Sequence, residues 1–461
     1  MKTVYRIIGG LLIVVFLGAC EKDEIGSLNP AATIASDAKG VDNFNNGMIN
    51  SYSSNVVLQW NVLLGQNIDG LIPQPAEVKI YAMVTLAMHD ALNNVLPKYE
   101  TYALNNLNVD VSGISRKNIH AVADAAVSQA AHDMIVQLRS QATSDADALL
   151  GTILSDIDDE TMRARGIDIG RRAAAAVLAK RAADFPLTFA SSVLGTSPGE
   201  HKGNYEPWVM RFPMFQNPVY APNLGRLTPF GIESGDQFRD EAPYPLNSAE
   251  YIADYNEVKA LGCTECPLRT AEQTEIGAFW VENTSSSMNR LARVLIVQRK
   301  LDGWEAARLI ALIEMSQIDA YIASFEGKYQ FNFWRPITAV REGDQDGVDA
   351  TTGDVDWTPT FDTPPTPDFP STHAYNGAAA SAVFKSFFHS DQINLNLISP
   401  YNVVGVERHY RSFSQIAYEN AVSRIYIGYH FRYAVEVGLR QGTELGYYVY
   451  ENNLRELKKV L

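Results

Sequence analysis

Apolar residues recur at intervals of three and four along most of the chain, the spacing that lines up one buried face of a helix. That spacing predicts helices over residues 76–96, 119–138 and 163–183, and at least two more between Thr270 and Ser324, joined near Asp302-Gly303. The Ala-rich run 374–388 has the same character. Alternation with period two is scarce. Between Phe185 and Ala260 the pattern gives way to Pro, Gly and aromatic residues such as Phe212-Pro213-Met214-Phe215, which predicts long ordered loops lying over a helical core. No fixed-period repeat is evident. The expected fold is mainly α, a large helical domain of packed helix bundles with long ordered loops.

The N-terminus departs from this pattern. Lys2 and Arg6 precede an apolar run from Ile7 to Ala19 that is too short to span a membrane comfortably and ends in small residues, as a secretory signal does. The closing Leu17-Gly18-Ala19-Cys20 resembles a bacterial lipobox, which implies lipidation of Cys20. Glu21-Lys22-Asp23-Glu24 resembles the surface-export signal of some bacterial lipoproteins. The expected organisation is a signal peptide at 1–19, a flexible tether at 20–39 and one helical domain at 40–461. The implied location is the bacterial outer membrane or cell surface, reached through a lipid anchor in which more than one acyl chain makes attachment stable.

Composition adds exclusions. With 31 Gly, 21 Pro and 3 Cys in 461 residues, the chain is neither collagenous nor a disulfide-knotted miniprotein. A formal charge of -15 is the wrong sign for wrapping a phosphate backbone, so nucleic acid is not an expected partner. Cys263-Thr264-Glu265-Cys266 could be a redox dithiol or half of a zinc site, but no second pair completes a zinc set. Outside the cytoplasm it reads as a local disulfide.

Candidate chemistry concentrates at residues 325–435. Lys328 and Arg335-Pro336 stand in KYQFNFWRP, followed by Pro370-Ser371-Thr372-His373 and then by Ser423-Arg424 and His430 in SRIYIGYH. On one helix, Lys328 and Arg335 would project from the same side two turns apart, with Pro336 ending or kinking that helix. Ser371, Thr372 and His373 would open the helix over 374–388, where free backbone N–H groups attract anions. Gly428 permits close backbone approach beside His430. Taken singly, these features have plain readings: a solvated helix face, a cap, a packed core histidine. Their order is what points to chemistry.

K-x6-RP, then Pro-Ser-x-His, then SR-x5-H is similar to the signature of type 2 phosphatidic acid phosphatases and vanadium-dependent haloperoxidases. SFEGKYQFNFWRPITAVR, PPTPDFPSTHA and YENAVSRIYIGYHFRYA resemble the haloperoxidase branch, as do LAMHDALNN and LTPF upstream. The resemblance implies an all-α fold holding one tetrahedral oxyanion, vanadate. Lys328, Arg335 and Arg424 would supply charge, with Ser371 and the Thr372 N–H adding hydrogen bonds. His430 would sit on one axial side as ligand to vanadium and His373 opposite as general acid/base. The substrates implied are hydrogen peroxide and a halide. The same array would serve an acid phosphatase that hydrolyses a phosphomonoester through a phosphohistidine at His430. A non-catalytic oxyanion- or glycan-binding surface lipoprotein stays open as a third reading.

Three departures qualify the resemblance. Thr372 stands where the family has Gly, and Ala434 where an Asp often orients the axial His, with Glu436 on another helix face. Phe325 and Thr366 replace the Trp and Phe that line the halide pocket of fungal chloroperoxidases, so iodide or bromide is expected ahead of chloride. His89, His120 and His132 read as core or surface residues, and His409 as a possible neighbour of the site. Asp344, Asp346, Asp349, Asp354 and Asp356 read as a solvated turn, because no Glu closes a calcium loop at the required spacing.

Overall fold

A 29-residue helix, Gly303–Phe331, forms the axis of the structure. Asp302 starts it by accepting from Glu305 N while the Glu305 side chain accepts from Asp302 N, a reciprocal cap. From Gly303 to Phe325 every residue of this helix except Glu305 is buried, which requires packing on all sides. The computed structural model describes residues 44–192, 194–203, 218–400 and 402–457. The expected signal peptide and tether lie outside them.

Among the described residues the chain forms fourteen α-helices and two small two-stranded sheets, the second a hairpin, a mainly α architecture. The first six helices are α1 (Phe44–Ile49), α2 (Asn55–Ile68), α3 (Gln74–Val95), α4 (Ile119–Leu138), α5 (Thr143–Ser155) and α6 (Glu160–Lys180). The next five are α7 (Ala249–Leu261), α8 (Ala271–Phe279), α9 (Thr284–Arg299), α10 (Gly303–Phe331) and α11 (Pro336–Arg341). The last three are α12 (Thr372–Phe388), α13 (Phe413–Tyr426) and α14 (Arg432–Asn452). Helices α2 to α6 pack together as one bundle, α12 to α14 with α8 as another, and α10 lies between them against α3 and α12. The described residues from 44 onward make one compact unit.

The spacing argument found the long helices, with ends shifted by a few residues, and undercounted strand. Residues Gln392–Ile398 pair antiparallel with Glu407–Ser412, and Ile393 and Leu395 of the first strand face inward. Cys263 and Cys266 form a disulfide. No helix among the described residues is long and apolar enough to cross a membrane.

Packing of α14 on α12 uses a row of small residues. Gly438, Gly442 and Gly446 face the backbone of α12 so closely that a Cβ would lie 2.6, 2.2 and 2.3 Å from the carbonyl oxygens of Ser371, Tyr375 and Ala379. This row fixes the end of α12 that carries Ser371. Gly442→Ala should therefore destabilise the protein by about 1–3 kcal/mol through overpacking. Gly151→Ala, on α5 with nothing within 4 Å, should be neutral or raise stability by up to about 1 kcal/mol. Chemical denaturation of the two variants measures the difference.

Candidate active site

Lys328 and Arg335 reach one place, but not along one helix. Asn332 takes the left-handed conformation, with φ 48°, and ends α10 after Phe331, its N–H donating to Lys328 O at 2.8 Å. Arg335 caps the next helix, with Pro336 in its first turn. The expectation of a shared helix face is thereby corrected. A sharp break after one turn, rather than two turns of helix, turns Arg335 back toward Lys328. Pro336 signals the new helix, while the break falls at an Asn that tolerates positive φ.

Both side chains are buried and held by carbonyl oxygens. Lys328 Nζ donates to Pro367 O at 2.8 Å and Asp368 O at 2.9 Å. Arg335 Nε donates to Thr366 O and Nη1 to Tyr429 O, both at 2.7 Å, and Nη2 donates to Thr366 Oγ1 at 3.0 Å. Arg424, near the end of α13, donates through Nη2 to Trp280 O at 2.8 Å and through Nε to Ser423 Oγ at 2.9 Å. Burial lowers the pKa of all three, Arg335 and Arg424 to about 10 and Lys328 well below its usual value, where the Arg335 charge adds to the effect. Positive charge accumulates here with too little counter-charge, which favours an anion.

The two histidines flank this cluster. Arg335 Nη1 lies 2.9 Å from His430 Nε2 and, being able only to donate, makes Nε2 the acceptor. His430 Nδ1 lies 2.9 Å from Asp368 Oδ1. With Nε2 accepting from Arg335, a neutral ring carries its proton on Nδ1, on the side of the Asp368 carboxyl, although the 2.9 Å contact there is not an aligned hydrogen bond. Burial and then the charges of Arg335, Lys328 and Arg424 hold its pKa well below the usual value. His373 bonds to the Trp280 backbone, and its Nε2 is buried without a partner. Burial and the Arg424 charge keep this ring neutral too.

Asp368 is the residue that the sequence argument missed. Ala434 lacks the orienting carboxylate, and Asp368 supplies one from three positions before Ser371. Burial pushes its pKa up to about 7, against the pull of Arg335 and Lys328. The signal was present in PTPDFPST, an acid enclosed by prolines and aromatics, but no spacing rule ties it to a histidine 62 positions on. Ala434 still contributes its carbonyl, which accepts from Ser371 N at 2.9 Å. Glu436 pairs instead with Arg432 at 3.7 Å.

Thr372 opens α12 and does not crowd the cations. Its Oγ1 accepts from Ser324 Oγ at 2.9 Å, so the hydroxyl is drawn across to α10. Ser371 is fully buried, and its Oγ accepts from Ala374 N at 3.4 Å as an N-cap. Gly428 has φ 78°, and a Cβ there would lie 2.6 Å from Gly262 O. His409 bonds to Asn396 on the hairpin, and His89 is a core residue bonded to Glu100 O at 3.0 Å.

Lys328, Arg335, Thr372, His373, Arg424 and His430 line one cavity of about 750 Å³. Phe325 and Thr366 line it as well. Glu77, Asn283 and Ser286 line it too, among apolar residues such as Ile72 and Val281. There Asn283 Nδ2 donates to Glu77 Oε1 at 2.8 Å, and burial pushes the Glu77 pKa up to about 7.

Comparison with known proteins finds relatives of the same helical fold. Residues 308–459 match the family described as the VCPO second helical-bundle domain. The chain is 23% identical over 491 residues to the vanadium chloroperoxidase of Curvularia inaequalis, a match covering 83% of this chain and 79% of that protein. Among solved structures it is similar to a bacterial vanadium-dependent iodoperoxidase, with TM-score 0.72 and 20% identity over 92% of this chain and 100% of that one. It is also similar to a holo-type bacterial vanadium-dependent chloroperoxidase, with TM-score 0.65 and 16% identity over 83% and 92% of the two chains.

Asp368 faces buried basic groups, so Asp368→Asn should lower stability by about 3 kcal/mol, the scale for removing one partner of a buried pair. Inorganic phosphate should restore part of the loss by supplying negative charge. Thermal unfolding with and without phosphate tests this, and an unchanged midpoint would refute the assignment.

Proposed function

We propose that this chain is a member of the vanadium haloperoxidase family and a vanadate-dependent enzyme that oxidises halide with hydrogen peroxide. The observation that carries the reading is the meeting of the buried Lys328, Arg335 and Arg424 with two neutral imidazoles in one cavity. The residues fit the cofactor. Three basic groups with depressed pKa values call for a polyanion, and a lone pair on His430 Nε2 suits a metal ligand.

Vanadate, when bound, supplies a Lewis acid that stays oxidised and polarises peroxide for attack by halide. Lys328, Arg335 and Arg424 would hold its oxygens, Arg335 Nη1 exchanging its bond to His430 Nε2 for the anion and so freeing that lone pair, while Asp368 would face Nδ1. Ser371, at the buried cap of α12, and the Thr372 N–H would present the helix N-terminus to the anion. His373 Nε2 is the atom placed to take a proton from incoming hydrogen peroxide and to return it later. The turnover consumes one halide, one hydrogen peroxide and one proton and yields hypohalous acid and water.

Iodide or bromide is the proposed halide. Iodide gives up electrons most easily, Phe325 and Thr366 stand in place of the chloroperoxidase pair, and one structural relative is an iodoperoxidase. The lipid anchor at Cys20 and the surface location remain part of the proposal, on the strength of residues 1–24.

His430→Ala and His373→Ala should each lower vanadate-dependent iodide oxidation by about 10²-fold or more, the scale of a lost proton-transfer group or ligand. Triiodide formation from iodide and peroxide, with and without orthovanadate, is the measurement. Bound vanadate with no oxidation of any halide would overturn the peroxidase reading and turn attention to phosphomonoester hydrolysis at the same histidines.

A further inference from the structure

Outside the cavity lining is a junction that this chemistry does not use. Three stretches of chain meet there: the loop 261–266 after α7, the extended stretch 357–360, and the turn 426–428 that leads from α13 to His430. Arg269 ties them together. Its Nη1 shares two N–H groups among four oxygens, Cys263 O at 2.6 Å, Thr360 Oγ1 and Tyr426 O at 2.9 Å, and Leu261 O at 3.0 Å. Its Nη2 donates to Thr264 O at 3.2 Å.

Backbone bonds repeat the same connections. Thr360 N donates to both Gly262 O and Ile427 O at 3.2 Å, and Thr264 N donates to Thr358 O at 2.8 Å. Gly428 lies against this loop so tightly that a Cβ would come within 2.6 Å of Gly262 O and 2.8 Å of Trp357 Cη2. The Cys263–Cys266 disulfide closes the loop that presents the Gly262 and Cys263 carbonyls. On the far side of the turn, Tyr429 N donates to Arg424 O at 2.9 Å and Arg335 Nη1 to Tyr429 O at 2.7 Å. The turn is therefore held from two sides, by the oxyanion cluster within and by the Arg269 junction without. Such a junction has few ways to relax, because loss of the guanidinium leaves several carbonyls without their donor.

We propose that Arg269 and the disulfide-closed loop 263–266 form a clamp that positions His430 from outside the cavity, so that the site is fully formed only while the disulfide is intact. Arg269 is a positioning residue and touches no reacting atom. The inference rests on the proposed vanadate site only for the identity of the anion, since the clamp acts on the turn itself.

The test uses the full chain with ¹⁵N-labelled histidine, first free of any anion, the His430 signal being assigned by its loss in His430→Ala. In Arg269→Gln and in Cys263→Ser/Cys266→Ser, the His430 ring resonances should shift or broaden while those of His132, bonded to Asp133 and Asp147 on the other bundle, stay in place. Affinity for inorganic phosphate, and for orthovanadate in the absence of thiols, should fall by about tenfold or more in both variants, the scale of disturbing an outer partner of a ligand. Arg269→Lys, which keeps the charge but not the planar fork, should recover only part of that loss. Unshifted His430 resonances, with any loss confined to thermal stability, would overturn the clamp. If Arg269→Gln fails to fold, the disulfide variant decides. If the wild type binds neither anion, the oxyanion reading falls, and the resonances of the anion-free protein still decide the clamp.

Discussion

Lys328, Arg335 and Arg424 are buried together, and basic groups taken out of water repel one another and lose hydration worth several kcal/mol each. The surrounding chain is arranged to offset that cost. Five backbone carbonyls, from Trp280, Thr366, Pro367, Asp368 and Tyr429, accept from the three side chains. Asp368 adds a carboxylate beside Arg335. The offset is incomplete, as the lowered pKa values of all three groups indicate, and an anion entering the cavity would supply the remainder. The stretch 366–368 is thus shaped as a cage for cations. Its carbonyls point inward because lysine and arginine side chains give them partners there.

The helices serve this cage by fixing its corners. Helix α10 delivers Lys328 near its end, the break at Asn332 turns the chain, and Arg335 begins α11. Helix α12 starts at the cage wall, and the glycine row of α14 holds that start in register. Gly327 is part of the same fit, since a Cβ there would lie 2.8 Å from Pro370 Cδ. Ordinary core packing in the first bundle supports α10 from the other side through α3.

Much of this was legible in the sequence, and the remainder was hidden for definite reasons. The long helices were legible because their apolar faces repeat at helical period. The cap at Ser371 was legible because a small polar residue preceded an Ala-rich run. Lys328, Arg335, Thr372, His373, Arg424 and His430 could be named because their order is unusual, and the fold gathers them at one cavity. The route by which Lys328 and Arg335 meet was misread, since heptad spacing assumes an unbroken helix and Asn332 breaks it. Asp368 was invisible because its partner is distant in sequence, and only the folded chain brings His430 Nδ1 to it. The hairpin was passed over because three apolar residues in alternation, Ile393, Leu395 and Leu397, are a short signal beside helices of twenty residues.

The hydroxyl pair between Ser324 and Thr372 has a consequence for how such a site can change over time. A threonine at the helix start is tolerated because a hydroxyl one helix away draws its Oγ1 aside, the single Ser324 proton being shared between Thr372 Oγ1 at 2.9 Å and Tyr321 O at 3.2 Å. The two positions therefore form one unit of inheritance. Replacing Ser324 by an apolar residue leaves the threonine hydroxyl free to turn toward the anion, whereas returning Thr372 to glycine leaves Ser324 with a bond inside its own helix. The order of substitution matters for packing: with serine in place first, an incoming threonine hydroxyl meets a partner at once, and in the reverse order it does not.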